Sequence, residues 1–427
     1  MEVKRKLLVV EVAALGWDLV REHAGLLAPL GLSFSPLRPR FPAVTCTVQA
    51  AVRTGLPSPA NGMPSNGVYD RALRRTLFWE QSAALLAPGR VWESLRGRGG
   101  RVGTLFWQQS LGDGTDLVLS PAPIHKHHGG MIQDCYAKPA GLYQELCAGI
   151  GRPFDLMRYW GPLAGLPATR WITDATLAVL RSPQPAPELL LTYLPHLDYA
   201  LQKHGPENRR RTARAVTELA GELGRLLAGA RNAGYDVWVF GDYAITPARQ
   251  VVYPNRALRQ AGLLAVRQVG RQTYPDFHGS RALAMVDHQA AHVFVQGGAA
   301  AHKTARTVLA ALPGVAEVRD GDGGAGGDLV LVADPGAWFA YPWWDAPAEA
   351  PDYAGHVDIH SKPGFDPCEL FWGWPPGRTG QTPAKVRGTH GRDDAPAAFA
   401  ALTAAPLPPP AGHLELAAAL RAWCRTA

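Results

Sequence analysis

The chain has 427 residues, 47% hydrophobic and 19% charged, a composition that suits a soluble globular protein with a large core, either one α/β domain with an insertion or two domains. The formal net charge of +7 is carried mainly by scattered arginines, the one dense basic cluster being Asn208-Arg209-Arg210-Arg211; a nucleic-acid polymer is therefore not the expected partner, whereas a mild attraction for small anions is. Five cysteines (Cys46, Cys135, Cys147, Cys368, Cys424) are odd in number and never spaced as CxxC, which argues against a disulfide framework or a structural zinc knuckle and for a reducing compartment.

In chain order, MEVKRKLLVVEVAAL opens with basic residues, but Glu11 interrupts its apolar run. Leu7–Val12 therefore reads as a first buried strand rather than a signal segment, and the cytoplasm is the expected location. No apolar run approaches the ~18 residues of a spanning helix, so no membrane is expected. Strand-like runs follow at GRVGTLFW (100–107), ELLLTYL (188–194) and YDVWVFGDY (235–243). Before the last of these, Ala213, Val216, Leu219, Leu223 and Leu227 recur at helical spacing and Gly234 closes the pattern, which predicts an amphipathic helix. Continuous apolar strands between such helices predict an α/β fold with a mostly parallel sheet and helices on both faces.

Residues 1–249 are read as the first part of this core, and residues 250–345 as an inserted small α+β cap. The cap pattern is strand, helix, strand, loop, strand, starting at RALAMVDHQAAHVFVQ (281–296), with the glycine-rich DGDGGAGGD (320–328) as a surface hairpin or flexible loop. Residues 346–400 return to the core with site loops, and residues 401–427 form a proline-rich linker and a terminal helix.

Ligands of parallel sheets gather at the carboxyl ends of the strands, which directs attention to four junctions. In FPAVTCTVQAAVRTGLPSPANG (41–62), Thr45 falls at or beside a helix N-terminus. Unpaired amides and the helix dipole favour an anion there, although a plain N-cap is the simpler reading. A hydroxyl also needs a base or a metal before it can attack. YLPHLDYALQKHGP (193–206) places Asp198 at a strand end, VFGDYAITP (239–247) does the same for Asp242, and VRGTHGRDD (386–394) sets His390 between glycines. Together they form a candidate constellation.

Weaker candidates surround it. His288 and His292, four apart in DHQAAH, are core or surface histidines in the plain reading, with His288 a candidate substrate contact. HVDIHSKPGFDP supplies Asp358, His360, Lys362 and Asp366, of which His360 is taken as a substrate contact. The IHKHHGG loop (124–130) either lines a pocket mouth or is simply exposed, and Trp338, Trp343 and Trp344 are core or an aromatic wall for a flat group. Cys46, beside Thr45, is expected to point away from it.

The run around Thr45 with Thr54-Gly55, Asn66 in GMPSNGVYD, and the segments carrying Asp198, Asp242 and His390 match in order and spacing across residues 7–395. The pattern resembles the alkaline phosphatase superfamily, specifically its nucleotide pyrophosphatase/phosphodiesterase and phosphonoacetate hydrolase branch. The resemblance implies an alkaline phosphatase-like core. It also implies Thr45 as a nucleophile that takes up the phosphoryl group, Asn66 as a donor to a phosphoryl oxygen, and two flanking zinc ions clamping an in-line displacement.

Three metal-ligand positions of that family are changed. Its first-strand Asp aligns with Ala13, and two of its histidines with Gln202 and Tyr243. Alanine ligates nothing, glutamine offers a neutral amide oxygen, and tyrosine a phenol titrating near pH ~10. The implied metal set is thus Asp198, Asp242, His390 and Gln202, holding zinc or another divalent ion as one ion or none. Glu11 could stand in as a carboxylate. In a metal-free site, groups such as Tyr243, His196, His204 and Arg53 would meet the phosphoryl charge, with Tyr243, His288, His360 and Arg53 as substrate contacts. The expected function is a phosphodiesterase or nucleotide pyrophosphatase-like hydrolase with a covalent threonine intermediate, acting on a small anionic phosphoester. The alternatives are a phosphoryl or nucleotidyl transferase of a biosynthetic pathway and an inactive anion-binding relative.

Overall fold

The structure, a computed structural model, describes residues 5–128, 130–182, 186–357, 362–364, 369–373 and 379–427. β1 (Lys6–Val12) lies at the centre of the main sheet and is almost wholly buried. The short β2 (Ser35–Leu37) leads to α1 (Thr45–Thr54), after which come β3 (Val102–Leu105), β4 (Leu117–Pro121) and β5 (Cys135–Lys138). α2 (Leu166–Arg181) precedes β6 (Leu189–Leu194), which runs almost directly into α3 (His196–His204). The long α4 (Arg209–Asn232) then returns the chain to β7 (Tyr235–Gly241).

A second, smaller unit follows. β8 (Ala282–Asp287), β9 (Ala290–Val295), α5 (Gly298–Ala310), β10 (Val315–Asp320) and β11 (Leu329–Ala333) form a four-stranded antiparallel sheet in the order β8-β9-β11-β10. β12 (Ala397–Leu402) rejoins the main sheet, and α6 (His413–Thr426) ends the chain.

The main sheet has eight strands in the order β2-β12-β7-β1-β6-β3-β4-β5. Its five central strands are mutually parallel, and antiparallel pairings occur only toward its edges. The predicted mostly parallel α/β core is met. The strands are runs of Leu and Val buried on both faces because helices cover both sides. On α4 the buried residues include Val216, Leu219, Leu223 and Leu227, the stripe read from the sequence, whereas Ala213 lies off it.

One expectation changes. RALAMVDHQAAHVFVQ is not one strand but the hairpin β8–β9, turned at His288-Gln289, with His288 in the left-handed region at φ 56°. Both arms are apolar and buried, and the polar Asp287-His288-Gln289 between them marks the turn. Trp338, Trp343 and Trp344 are core, with Trp343 donating from its indole nitrogen to Thr273. The 320–328 segment is the turn of the β10–β11 hairpin, as expected. Among the described residues no helix is long and apolar enough to cross a membrane.

Register fixes where the site lies. Val12 of β1 is level with Leu194 of β6 and Gly241 of β7. Three adjacent parallel strands therefore end together and deliver Ala13-Ala14, the start of α3, and Asp242-Tyr243 to one edge. A Cβ on Gly241 would lie 2.3 Å from the Leu15 carbonyl oxygen, so glycine allows the two backbones to cross just before Asp242.

Candidate active site

Thr45 is the first residue of α1, whose N-cap is the extended Val44 and which carries no side-chain cap. Thr45 is thus not the N-cap of the simpler reading. Its hydroxyl instead donates to Asp242 Oδ2 at 3.1 Å and lies 3.4 Å from the Tyr243 hydroxyl. Asp242 Oδ1 accepts from the backbone amides of Ala14 (3.0 Å) and Tyr243 (2.9 Å), which lock the carboxyl in place. Burial pushes the Asp242 pKa up to about 8, and the Asp198 carboxylate adds to the rise against the lowering by those hydrogen bonds.

The Tyr243 hydroxyl donates to Asp198 Oδ1 at 2.9 Å, and the Gln202 amide nitrogen donates to the same oxygen at 2.6 Å. Asp198 is therefore not at a strand end but in the first turn of α3, with Gln202 one helical turn later on the same face. The Tyr243 ring lies flat on the His390 ring, with centroids 3.5 Å apart and planes within 1°. Burial and the two aspartates hold the Tyr243 phenol well above its ordinary pKa, so it remains a donor. His390 Nδ1 donates to the Ala43 carbonyl at 2.8 Å, and the His288 ring packs on His390 at 3.7 Å.

Asn66 completes the group. Its Oδ1 accepts from the Cys46 amide at 3.0 Å, while its own amide and side-chain nitrogen donate to Asp287 Oδ2 (2.8 Å) and Oδ1 (3.1 Å). Asp287 was not singled out from the sequence, although it stands immediately before His288. Its role depends on the hairpin turn that brings the end of β8 over the start of α1.

Thr45, Asn66, Asp198, Gln202, Tyr243, His288 and His390 line one pocket, with about 770 Å³ of empty space including its mouth. Aromatic walls come from Trp79, Tyr159, Trp160 and Phe371, and Lys203 supplies a cation. Arg53 does not contribute. It is fully buried, donates to the carbonyls of Gln108 and Gln109, and sits 3.5 Å from Asp113. That ion pair was invisible in the sequence, and Arg53 is a structural cation rather than a substrate contact. His196 and His204 line a neighbouring groove, and His196 bonds Glu218. His292 is buried in the smaller sheet on the Gly326 carbonyl, and His125, His127 and His128 are exposed outside the pocket. His360, Asp358 and Asp366 lie outside the described residues; Lys362 is buried and donates to the His356 carbonyl. Cys46 faces Gln109, and burial raises its thiol pKa.

Glu11 is fully buried and neither of its carboxyl oxygens has a hydrogen-bond partner. Burial first, and then the Asp242 charge, raise its pKa well above the ordinary carboxylate range. It neighbours Asp242 beneath the site and does not line the pocket.

The profile of the type I phosphodiesterase/nucleotide pyrophosphatase family matches residues 7–366. The chain belongs to that family, a membership that supports a phosphoester hydrolase. Among solved structures it is similar to murine ectonucleotide pyrophosphatase/phosphodiesterase 5, at 13% identity and a TM-score of 0.60 over 98% of this chain and 95% of that one. It is also similar to phosphonoacetate hydrolase from Sinorhizobium meliloti 1021 in complex with phosphonoformate, at 14% identity and a TM-score of 0.59 over 99% and 96%. An inactive variant of the murine protein in complex with AMP gives 13% identity and a TM-score of 0.56 over 93% and 87%. At these identities the likeness is one of fold. No curated protein matches the chain by sequence.

Members of the family typically use divalent metals such as zinc. The donor set found here does not fit a zinc pair. Ala13 offers no ligand, and Gln202 and Tyr243 both present hydrogen-bond donors to Asp198 Oδ1. The Tyr243 hydroxyl lies within hydrogen-bonding reach of both the Thr45 hydroxyl and Asp198. Among the described residues no cluster of three or more His, Cys, Asp or Glu side chains could hold an ion.

Proposed function

We propose that the protein cleaves a phosphodiester or pyrophosphate link through a covalent intermediate on Thr45. The observation that carries this reading is the Thr45 hydroxyl donating to Asp242 at the start of a helix facing the pocket. With its pKa near 8, Asp242 is a stronger base than an ordinary aspartate and suits general-base work close to neutrality. Asp242 Oδ2 takes the Thr45 proton as the Oγ1–P bond forms and the bond from phosphorus to the leaving oxygen breaks. Water then attacks phosphorus as the Thr45 Oγ1–P bond breaks; Asp242 returns its proton to Thr45 Oγ1, and the proton shed by the water neutralises the oxyanion that left in the first step. The second hydrogen on the Asn66 side-chain nitrogen, together with Lys203, is suited to meet charge on the phosphoryl oxygens. Because the donor set does not fit zinc, no step is routed through a metal.

The aromatic walls around Thr45 favour a second reading, in which an organic acceptor rather than water relieves the intermediate, making the protein a transferase. The substrate would be a small phosphoester anion with a flat group against those walls. A cytoplasmic setting is part of the proposal and is supported by the free thiols of Cys46, Cys135, Cys147 and Cys424.

The test is turnover of bis(p-nitrophenyl) phosphate and of a nucleotide p-nitrophenyl ester, with and without a chelator. Thr45→Ala should lower kcat/KM by at least about 10³-fold, and the chelator should leave the wild-type rate unchanged. Full activity in Thr45→Ala would overturn the covalent reading. If the wild type turns over neither ester, with water or an added alcohol as acceptor, the protein is an anion-binding relative instead.

A further inference from the structure

A second groove adjoins the pocket. It is walled by the first turn of α2, by α3 and by the N-terminal half of α4, and it shares Ala164, Tyr199 and Lys203 with the pocket itself. Two of its arginines are paired: Arg170 lies 3.4 Å from Glu222, and Arg214 lies 2.8 Å from Glu218, which also takes His196. Lys203, His204 and Arg211 line the same groove, and neither Lys203 nor Arg211 has a carboxylate partner among the described residues. Lys203 and Arg211 are exposed. The folded chain thus brings together uncompensated cations from α3 and α4, one of which also faces the catalytic pocket. A concave surface with this excess of one sign concentrates anions of the other.

We propose that this groove is a second anion subsite, holding a phosphate or diphosphate group of the same substrate whose scissile phosphorus sits at Thr45. Lys203 spans the two compartments and contacts both ends. The substrate class is then a phosphoester carrying a further phosphate-like anion beyond the bond that is cut, a refinement that rests on the phosphoester reading above. Both ends of such a molecule are charged, and Tyr199 and Lys203 line both cavities, which places the groove beside the pocket.

The test is calorimetric titration of the full chain with inorganic pyrophosphate. Arg211→Glu and Lys203→Gln are compared with the wild type and with Thr45→Ala, the fold of each being checked by circular dichroism. Arg211→Glu should weaken pyrophosphate binding about tenfold, Lys203→Gln should weaken it less, and added salt should weaken it in the wild type. Thr45→Ala should bind as the wild type does. Equal affinity in the wild type and Arg211→Glu, including no binding in either, overturns the subsite. Loss of binding in Thr45→Ala overturns it as well, because the anion would then sit in the catalytic pocket. Arg211-dependent binding in a protein that turns over no ester keeps the anion subsite and refutes the phosphoester reading.

Discussion

Replacing Asp242 by asparagine separates catalysis from folding in one step. The Asn side chain keeps an oxygen for the Ala14 and Tyr243 amides that now bond Oδ1, so the backbone at the strand end has no reason to move. At the Oδ2 position, 3.1 Å from Thr45, it places an NH2 that donates where the carboxylate accepted. On the proposed mechanism the Thr45 hydroxyl then has no base. Loss of a positioned general base is worth about 10²–10⁴ in rate, or roughly 3–5 kcal/mol of transition-state stabilisation. Stability should go the other way. The Asp242 pKa is raised in the fold to about 8, above the ~3.9 of an unfolded aspartate. Its contribution is complete below the unfolded value and is lost as pH rises through about 8. Wild-type stability should therefore decline across that window, and Asp242→Asn should lack this part of the decline. The assay is kcat/KM on bis(p-nitrophenyl) phosphate from about pH 5 to about pH 10, with denaturant melts at each pH. Wild-type activity should climb through about pH 8 and level off above it. A variant that keeps more than about a tenth of wild-type kcat/KM at the plateau, or that shows the same rising limb, refutes Asp242 as the base.

Asp287→Asn leaves one acceptor for the two donors of Asn66. The cost of about 1–3 kcal/mol for an unmet buried donor should appear as an approximately ten- to hundredfold fall in kcat with little change in KM, read from steady-state kinetics. The wild type, dialysed against zinc, should retain less than one ion per chain by elemental analysis. The triple variant Ala13→Asp, Gln202→His, Tyr243→His should take up more; two tightly held ions in the wild type would contradict the reading of the donor set.

The sequence already exposed what local pattern controls: the buried β1, the amphipathic α4, and the strand ends carrying Asp242 and the start of α3. Thr45, Asn66, Asp198, Gln202, Tyr243 and His390 were legible because family spacing marks each position, and His288 because of the DHQAAH pattern; one pocket holds them. What escaped depends on partners distant in the chain. Arg53 looked like an anion contact until Asp113 folded against it. Asp287 gained meaning only once the turn at His288-Gln289 placed it over Asn66. Trp338, Trp343 and Trp344 are core, the plainer of the two readings, whereas the aromatic lining from Trp79, Tyr159 and Trp160 was not read from the sequence, since hydrophobicity alone does not distinguish a wall from a core.

The β8–β9 turn fastens the small sheet to the site. It grips Asn66 through Asp287, touches His390 with the His288 ring, and joins the Gln289 amide to the His390 carbonyl. A small sheet tied at three points to the pocket floor has to break those contacts to swing aside. Under the proposed function, transplanting this small sheet onto another core would carry Asp287 and His288 with it but leave Thr45 and Asp242 behind.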